Sequence, residues 1–86
     1  MQELINEKIS VITLFNHQTN RVTPKKIKWK NKIYPINLIG YHHKYKEGSR
    51  LFHIFSVCNK NLFFRIKFDT NSLEWILEEI SDGLAN

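Results

Sequence analysis

Two runs of alternating apolar residues separated by a two-residue polar break confine this chain to β structure. Leu51, His53, Phe55 and Val57 alternate first, and after Asn59-Lys60 or Lys60-Asn61 the residues Leu62, Phe64, Ile66 and Phe68 alternate likewise. Side chains of a strand point to opposite faces in turn, and a two-residue turn keeps both sets on one side. The other side carries Phe52, Ile54, Ser56 and Cys58 beside Phe63, Arg65, Lys67 and Asp69, too apolar for an ordinary solvent face. It reads as a surface that another segment covers or that a partner binds.

A second hairpin lies in Pro24 to Ile36, PKKIKWKNKIYPI. A tight turn at Lys30-Asn31 or Asn31-Lys32 puts Ile27 and Trp29 on the face of Tyr34, Ile36 and Leu38, and Asn tolerates the left-handed backbone such turns require. Pro24 cannot donate a ladder hydrogen bond and is placed at the beginning of its strand. Past Leu38 the parity changes, and Gly40 is where a bulge re-aims the chain. His42 to Arg50 turns polar and ends in Gly48-Ser49, which reads as a strand end and a loop. Upstream, Lys8 to Asn16 is rich in β-branched and aromatic residues, a strand at 8–16, and His17 to Arg21 is a loop. For Leu73 to Ile80, alternation of Leu73, Trp75 and Leu77 favours a strand over a helical stripe with Asn71 and Glu74 at capping-box spacing. Residues 82–86 are expected to fray.

These elements give an all-β fold, one antiparallel meander of five or six strands curled into a barrel or half-barrel, with an ordered core over about 8–80. The expected interior is Ile27, Trp29, Tyr34, Ile36, Leu38, Phe55, Val57, Leu62, Phe64, Ile66, Phe68, Trp75 and Leu77. The 86 residues make one domain, dense in aromatics, with a single Cys and hence no internal disulfide. Without a signal peptide or an apolar run of about 18 residues, the expectation is a cytoplasmic protein with no membrane contact.

Charge is the one pointer to a partner. Nine of the 13 cations lie within residues 21–50 against a single carboxylate, Glu47. Such a basic segment favours nucleic acid or another polyanion through Coulomb attraction and counterion release, against the plainer role of a solvated face that blunts sheet edges. Lys26, Lys28, Lys30 and Lys32, with Lys44, Lys46 and Arg50, form the candidate nucleic-acid surface. Trp29 shares its face with Ile27 and belongs to the core, so Tyr41, Tyr45, Phe52 and Phe63 are the better rings for base stacking. The alternative is a protein-interaction module or homo-oligomer docking through Phe52, Ile54 and Phe63.

Nothing points to an enzyme, a metal or a cofactor. His42 and His43 are adjacent and project to opposite faces of a strand, His17 and His53 lie in separate segments, and no ligand spacing is present. His53 falls on the aromatic inner face beside Phe55 and Phe64, where a neutral imidazole needs a hydrogen-bond partner. Cys58 has no motif around it, Gly40, Gly48 and Gly83 are too far apart for a phosphate loop, and Glu78-Glu79 is no acid–base pair.

The order of Pro24, Ile27-Lys28-Trp29, Lys30-Asn31-Lys32, Tyr34-Pro35-Ile36, Leu62 to Asp69 and Trp75-Ile76-Leu77 resembles a family of short, uncharacterised bacterial proteins. Those proteins share a Pro, an apolar-x-Trp, a basic-Gly-basic turn, a Tyr-x-apolar pair, an aromatic hairpin, an Asp turn and a Trp-x-Leu ending. The likeness spans most of residues 22–80, with Asn31 where the family has Gly. It implies a small all-β domain whose Trp75-x-Leu77 ending is a strand. Some relatives are encoded near translesion DNA polymerases, which implies a nucleic-acid-linked accessory role and supplies no catalytic residue.

Overall fold

The computed structural model describes residues 2–82, and the expectation for residues 83–86 lies outside them. Those residues form seven antiparallel strands and no helix: β1 (Gln2–Asn16), β2 (Arg21–Trp29), β3 (Lys32–Pro35), β4 (Leu38–Glu47), β5 (Arg50–Asn59), β6 (Leu62–Asp69) and β7 (Trp75–Ser81). Their order is β3-β2-β1-β7-β6-β5-β4, curled into a half-barrel. With no helix present, none is long and apolar enough to cross a membrane.

The curl comes from β1, which reaches further toward the N-terminus than its composition indicates. The N-terminal part of β1, within residues 2–9, pairs with β7 and residues 10–16 pair with β2, so one strand joins the two halves of the sheet. The β1–β7 register shifts between Leu4 and Glu7, where Asn6 has a φ of 54°. A bulge bends and twists its strand, and this bend swings the β2–β3 hairpin back over the inner face of β4 to β7. Ile5 and Ile9 pack against the core from a segment whose alternation is diluted by Glu3, Asn6, Glu7 and Lys8.

The β2–β3 hairpin has the expected register, Trp29 opposite Lys32 and Ile27 opposite Tyr34. Both turn residues are left-handed, Lys30 at 52° and Asn31 at 61°, as a tight hairpin with native twist demands. Pro24 is not at the strand's beginning but inside it, buried, opposite Thr13 where the β1–β2 register shifts. It is tolerated there because a bulge interrupts the ladder and β3 pairs only from Lys26 onward.

The β5–β6 hairpin also follows the pattern, turning at Lys60-Asn61 with Val57 opposite Phe64 and Phe55 opposite Ile66. Ile27, Phe55, Val57, Phe64, Ile66, Trp75 and Leu77 are the buried core. Trp29, Tyr34, Ile36, Leu62 and Phe68 pack around it. Leu38 is the exception, 62% exposed. The parity change comes earlier than expected, at the Ile36-Asn37 step, where Ile36 N–H donates to the Lys25 carbonyl and Asn37 N–H donates to the Cys58 carbonyl. That step carries the chain from the β3 edge to the β4 edge, and it leaves Ile39 inside and Leu38 out.

Two further segments differ from the sequence reading. The polar stretch after His42 is no loop, because β4 continues to Glu47 and a tight Gly48-Ser49 turn, with Gly48 at φ 62°, returns it into β5. At the other end β7 starts at Trp75. Leu73 is exposed with φ 65°, because the Asp69 carboxylate accepts the N–H groups of Asn71 and Ser72 and folds residues 69–74 into a compact turn. This also removes the capping-box alternative.

Phe64 is fully enclosed and its ring lies 5.2 Å from that of Tyr34. Phe64→Ala should cost about 3–5 kcal/mol, most of the stability of a domain this size, read as a lowered urea midpoint. An unchanged midpoint would remove Phe64 from the core.

Candidate nucleic-acid interface

The seven candidate cations, Lys26, Lys28, Lys30, Lys32, Lys44, Lys46 and Arg50, do not form one surface. Lys26 and Lys28 lie on the convex side of β2, opposite Ile12 and Ser10 of β1. Exposed Ile12 and Ile33 flank them. Lys30 and Lys32 fold back over their own hairpin, with ammonium groups 4.8 Å from the Trp29 ring and 5.3 Å from the Tyr34 ring. Trp29 itself donates its indole N–H to Glu7 at 3.0 Å. Arg50 is engaged by Asp69 at 2.6 Å. Lys44 and Lys46 sit opposite His53 and Leu51, on the concave side.

The apolar convex face of β5 is largely closed by its own neighbours. Phe52 and Ile54 are buried at 6% and 5% exposure, with Tyr45 stacked 5.2 Å from Phe52 and the Lys67 ammonium 4.9 Å above the same ring. They therefore offer no docking surface, and Phe52 is no stacking ring. Phe63 remains exposed beside Leu38 and Cys58 around a shallow depression of about 210 Å³.

On the concave side a larger cleft, about 890 Å³, opens between the free edge of β2 and the edge strand β4. Its walls are Asn20, Arg21 and Thr23 on one side and Ile39, His42 and Lys44 on the other, over a floor of His53, Phe55 and Phe68. The β4 bulge creates this arrangement: Ile39 pairs with Val57 and Tyr41 with Ser56, so Gly40 is the extra residue and His42 lands opposite Phe55 on the inner face. The His42 ring lies flat on Phe55, centroids 4.2 Å apart and planes 3° apart. His42 Nε2 and His53 Nδ1 share a hydrogen bond of 2.8 Å. The two imidazoles are 16° from coplanar with centroids 5.1 Å apart, the distance of rings joined end to end through that bond. They form one flat surface backed by Phe55.

Burial lowers the His42 pKa, and the positive charges of Lys44, Arg21 and His43 lower it further. Burial, His42 and Lys44 act on His53 in the same sense. Both rings are thus held neutral at pH 7, and the hydrogen bond satisfies the need the sequence assigned to His53. His42 and His43 do face opposite sides, and no group of three or more His, Cys, Asp or Glu able to hold a metal is found among the described residues.

Aromatic rings also line the convex side of β4, where Tyr41, His43 and Tyr45 succeed one another at 5.1 and 6.4 Å. Charge separates the two surfaces. Beside the convex rings, Arg65 is paired with Glu78 and Glu79, Lys67 with Glu78 and Arg50 with Asp69. Among the described residues the cleft lining holds Arg21 and Lys44 and no carboxylate. Positive charge is accordingly unbalanced in the cleft lining and offset on the convex face.

In the sequence Arg21 reads as a loop end and His42 as one of two adjacent histidines on opposite faces of a strand, so periodicity alone marks neither as part of this cleft. Carrying the alternation through the suspected Gly40 bulge would have placed His42 beside His53. Neither family models, curated proteins nor solved structures give a match to this chain.

The Asp69 turn sets an acid limit. Burial raises its pKa, but hydrogen bonds from the Asn71 backbone, the Arg50 guanidinium and Ser72 outweigh this and bring it down to about 2. A carboxylate with a depressed folded pKa stabilises the fold above its unfolded value and loses that contribution as pH falls through the folded one. Asp69→Asn should lower the melting temperature at pH 7, with the gap to the wild type closing between about pH 4 and pH 2. A gap that persists unchanged down to pH 2 would deny the carboxylate this role.

Proposed function

We propose that the protein is a small non-enzymatic module that binds nucleic acid, with the concave cleft between β2 and β4 as its contact surface. The observation that carries this reading is a cleft with Arg21 and Lys44 on opposite walls, no carboxylate among the described residues of its lining, and aromatic rings on its floor. Lys46, on the same side of β4, extends the positive wall. This combination of a cationic groove with stacking rings is the general means by which small β-barrels hold nucleic-acid strands. The hairpin lysines Lys26 and Lys28 face the other way and add to the field that attracts a polyanion without touching a strand in the cleft.

Anisotropy titrations of short labelled DNA and RNA strands across a salt series test this. Contacts from Arg21, Lys44 and Lys46 to about three phosphates predict a slope of log K against log salt of roughly −2 for a single strand. Arg21→Ala or Lys44→Ala should flatten the slope by about 0.7 each, and Lys26→Ala with Lys28→Ala should leave it nearly unchanged. The reverse pattern would move the site to the convex hairpin face. Absence of binding at about 50 mM salt would reject the proposal.

A protein contact is the second reading, supported by the exposure of Leu38 and Phe63 around the convex depression. It predicts self-association in sedimentation that Phe63→Ser abolishes; a monomer at all concentrations would argue against a homo-oligomer.

A further inference from the structure

The His42–His53 pair has a geometry that its structural role does not require. A half-buried imidazole such as His53 is satisfied by any acceptor or donor, yet here two rings lie end to end in nearly one plane over Phe55. Phe55 is 3% exposed while His42 is exposed, so the imidazole covers the phenyl ring and turns its other face to the cleft. Two coplanar imidazoles present a π-surface comparable in extent to a nucleobase. Uncharged aromatic faces accept any base, since every base has a π-face of its own.

We infer that this paired-imidazole platform is the seat of one unpaired base, so that the protein selects single-stranded over duplex nucleic acid. The inference rests on the nucleic-acid reading above and adds its ligand class. A base lying on His42 and His53 leaves its flanking phosphates between Arg21 on the β2 wall and Lys44 on the β4 wall. A base inside a duplex cannot reach the floor, because extruding it costs its pairing and stacking. Thr23 in the same lining supplies a hydroxyl at the base edge, which either donates or accepts and so discriminates little among bases, whereas the Thr70 hydroxyl already donates to the Leu51 carbonyl at 2.8 Å and is left only to accept.

Three probes eight nucleotides long decide the point: an oligothymidine, the same strand with its bases replaced by abasic sites and its phosphates unchanged, and a duplex of that length. Stacking of one base should make the oligothymidine bind about 5- to 100-fold tighter than the abasic strand. His42→Ala should erase that ratio while keeping the salt slope, whereas His42→Phe, which retains a flat ring on Phe55, should keep the ratio. The preserved slope also shows that the Ala variant still folds. Equal affinity for the base-bearing and abasic strands, or for duplex and single strand, overturns the inference and leaves the nucleic-acid reading standing. Failure of all three probes to bind at about 50 mM salt overturns both.

Discussion

The contact between Tyr34 and Phe64 is where the two halves of this molecule meet, and the rest of the structure depends on it. Their rings sit 5.2 Å apart, one on the short β2–β3 hairpin and the other in the centre of the β4–β7 meander. A single sheet of this length cannot bury one face against water unless it folds back on itself. The hairpin supplies the covering layer, with Ile27 fully enclosed, and the meander supplies the floor of Val57, Phe64, Ile66 and Leu77. Apolar burial at this seam is the main favourable contribution to the fold.

Closing the seam at one end leaves it open at the other. The chain crosses from the β3 edge to the β4 edge in one step, Ile36-Asn37, held by backbone bonds to Lys25 and Cys58. Beyond that step β3 has already ended, and the free edge of β2 stands apart from the long edge of β4. The cleft is the consequence, a gap in a barrel whose shortest strand is four residues. Its floor is aromatic because it is simply the continuation of the core, and its walls are basic because both edges come from the lysine- and arginine-rich middle of the chain. Stability and binding surface are thus parts of one packing solution.

How much of this was legible follows particular residues. The alternation of Leu51 to Val57 and of Leu62 to Phe68 specified the central hairpin, its turn and its inner face, and the parity of Ile27, Trp29 and Tyr34 placed the tryptophan with the core. The extension of β1 to Gln2 was hidden because its polar residues face outward and its backbone bonds to β7, 70 or more positions away. Phe52 and Ile54 looked available because periodicity reports a face and not what covers it; Tyr45 and Lys67 close it. Arg50 looked like a free cation until Asp69, 19 residues on, claimed it.

The sequence by itself determined the class of structure: period-two patterning, tight polar turns and an aromatic inner face admit antiparallel strands and little else, since these are local properties of neighbouring side chains. It also determined that positive charge is concentrated in the middle third. Only the tertiary structure decided which cations act together. One bulge at Gly40 turned His42 inward to His53, and one partner switch in β1 brought Arg21 across from Lys44. The positions of such irregularities are settled by packing between distant segments, where a shift of one residue exchanges the two faces of a strand.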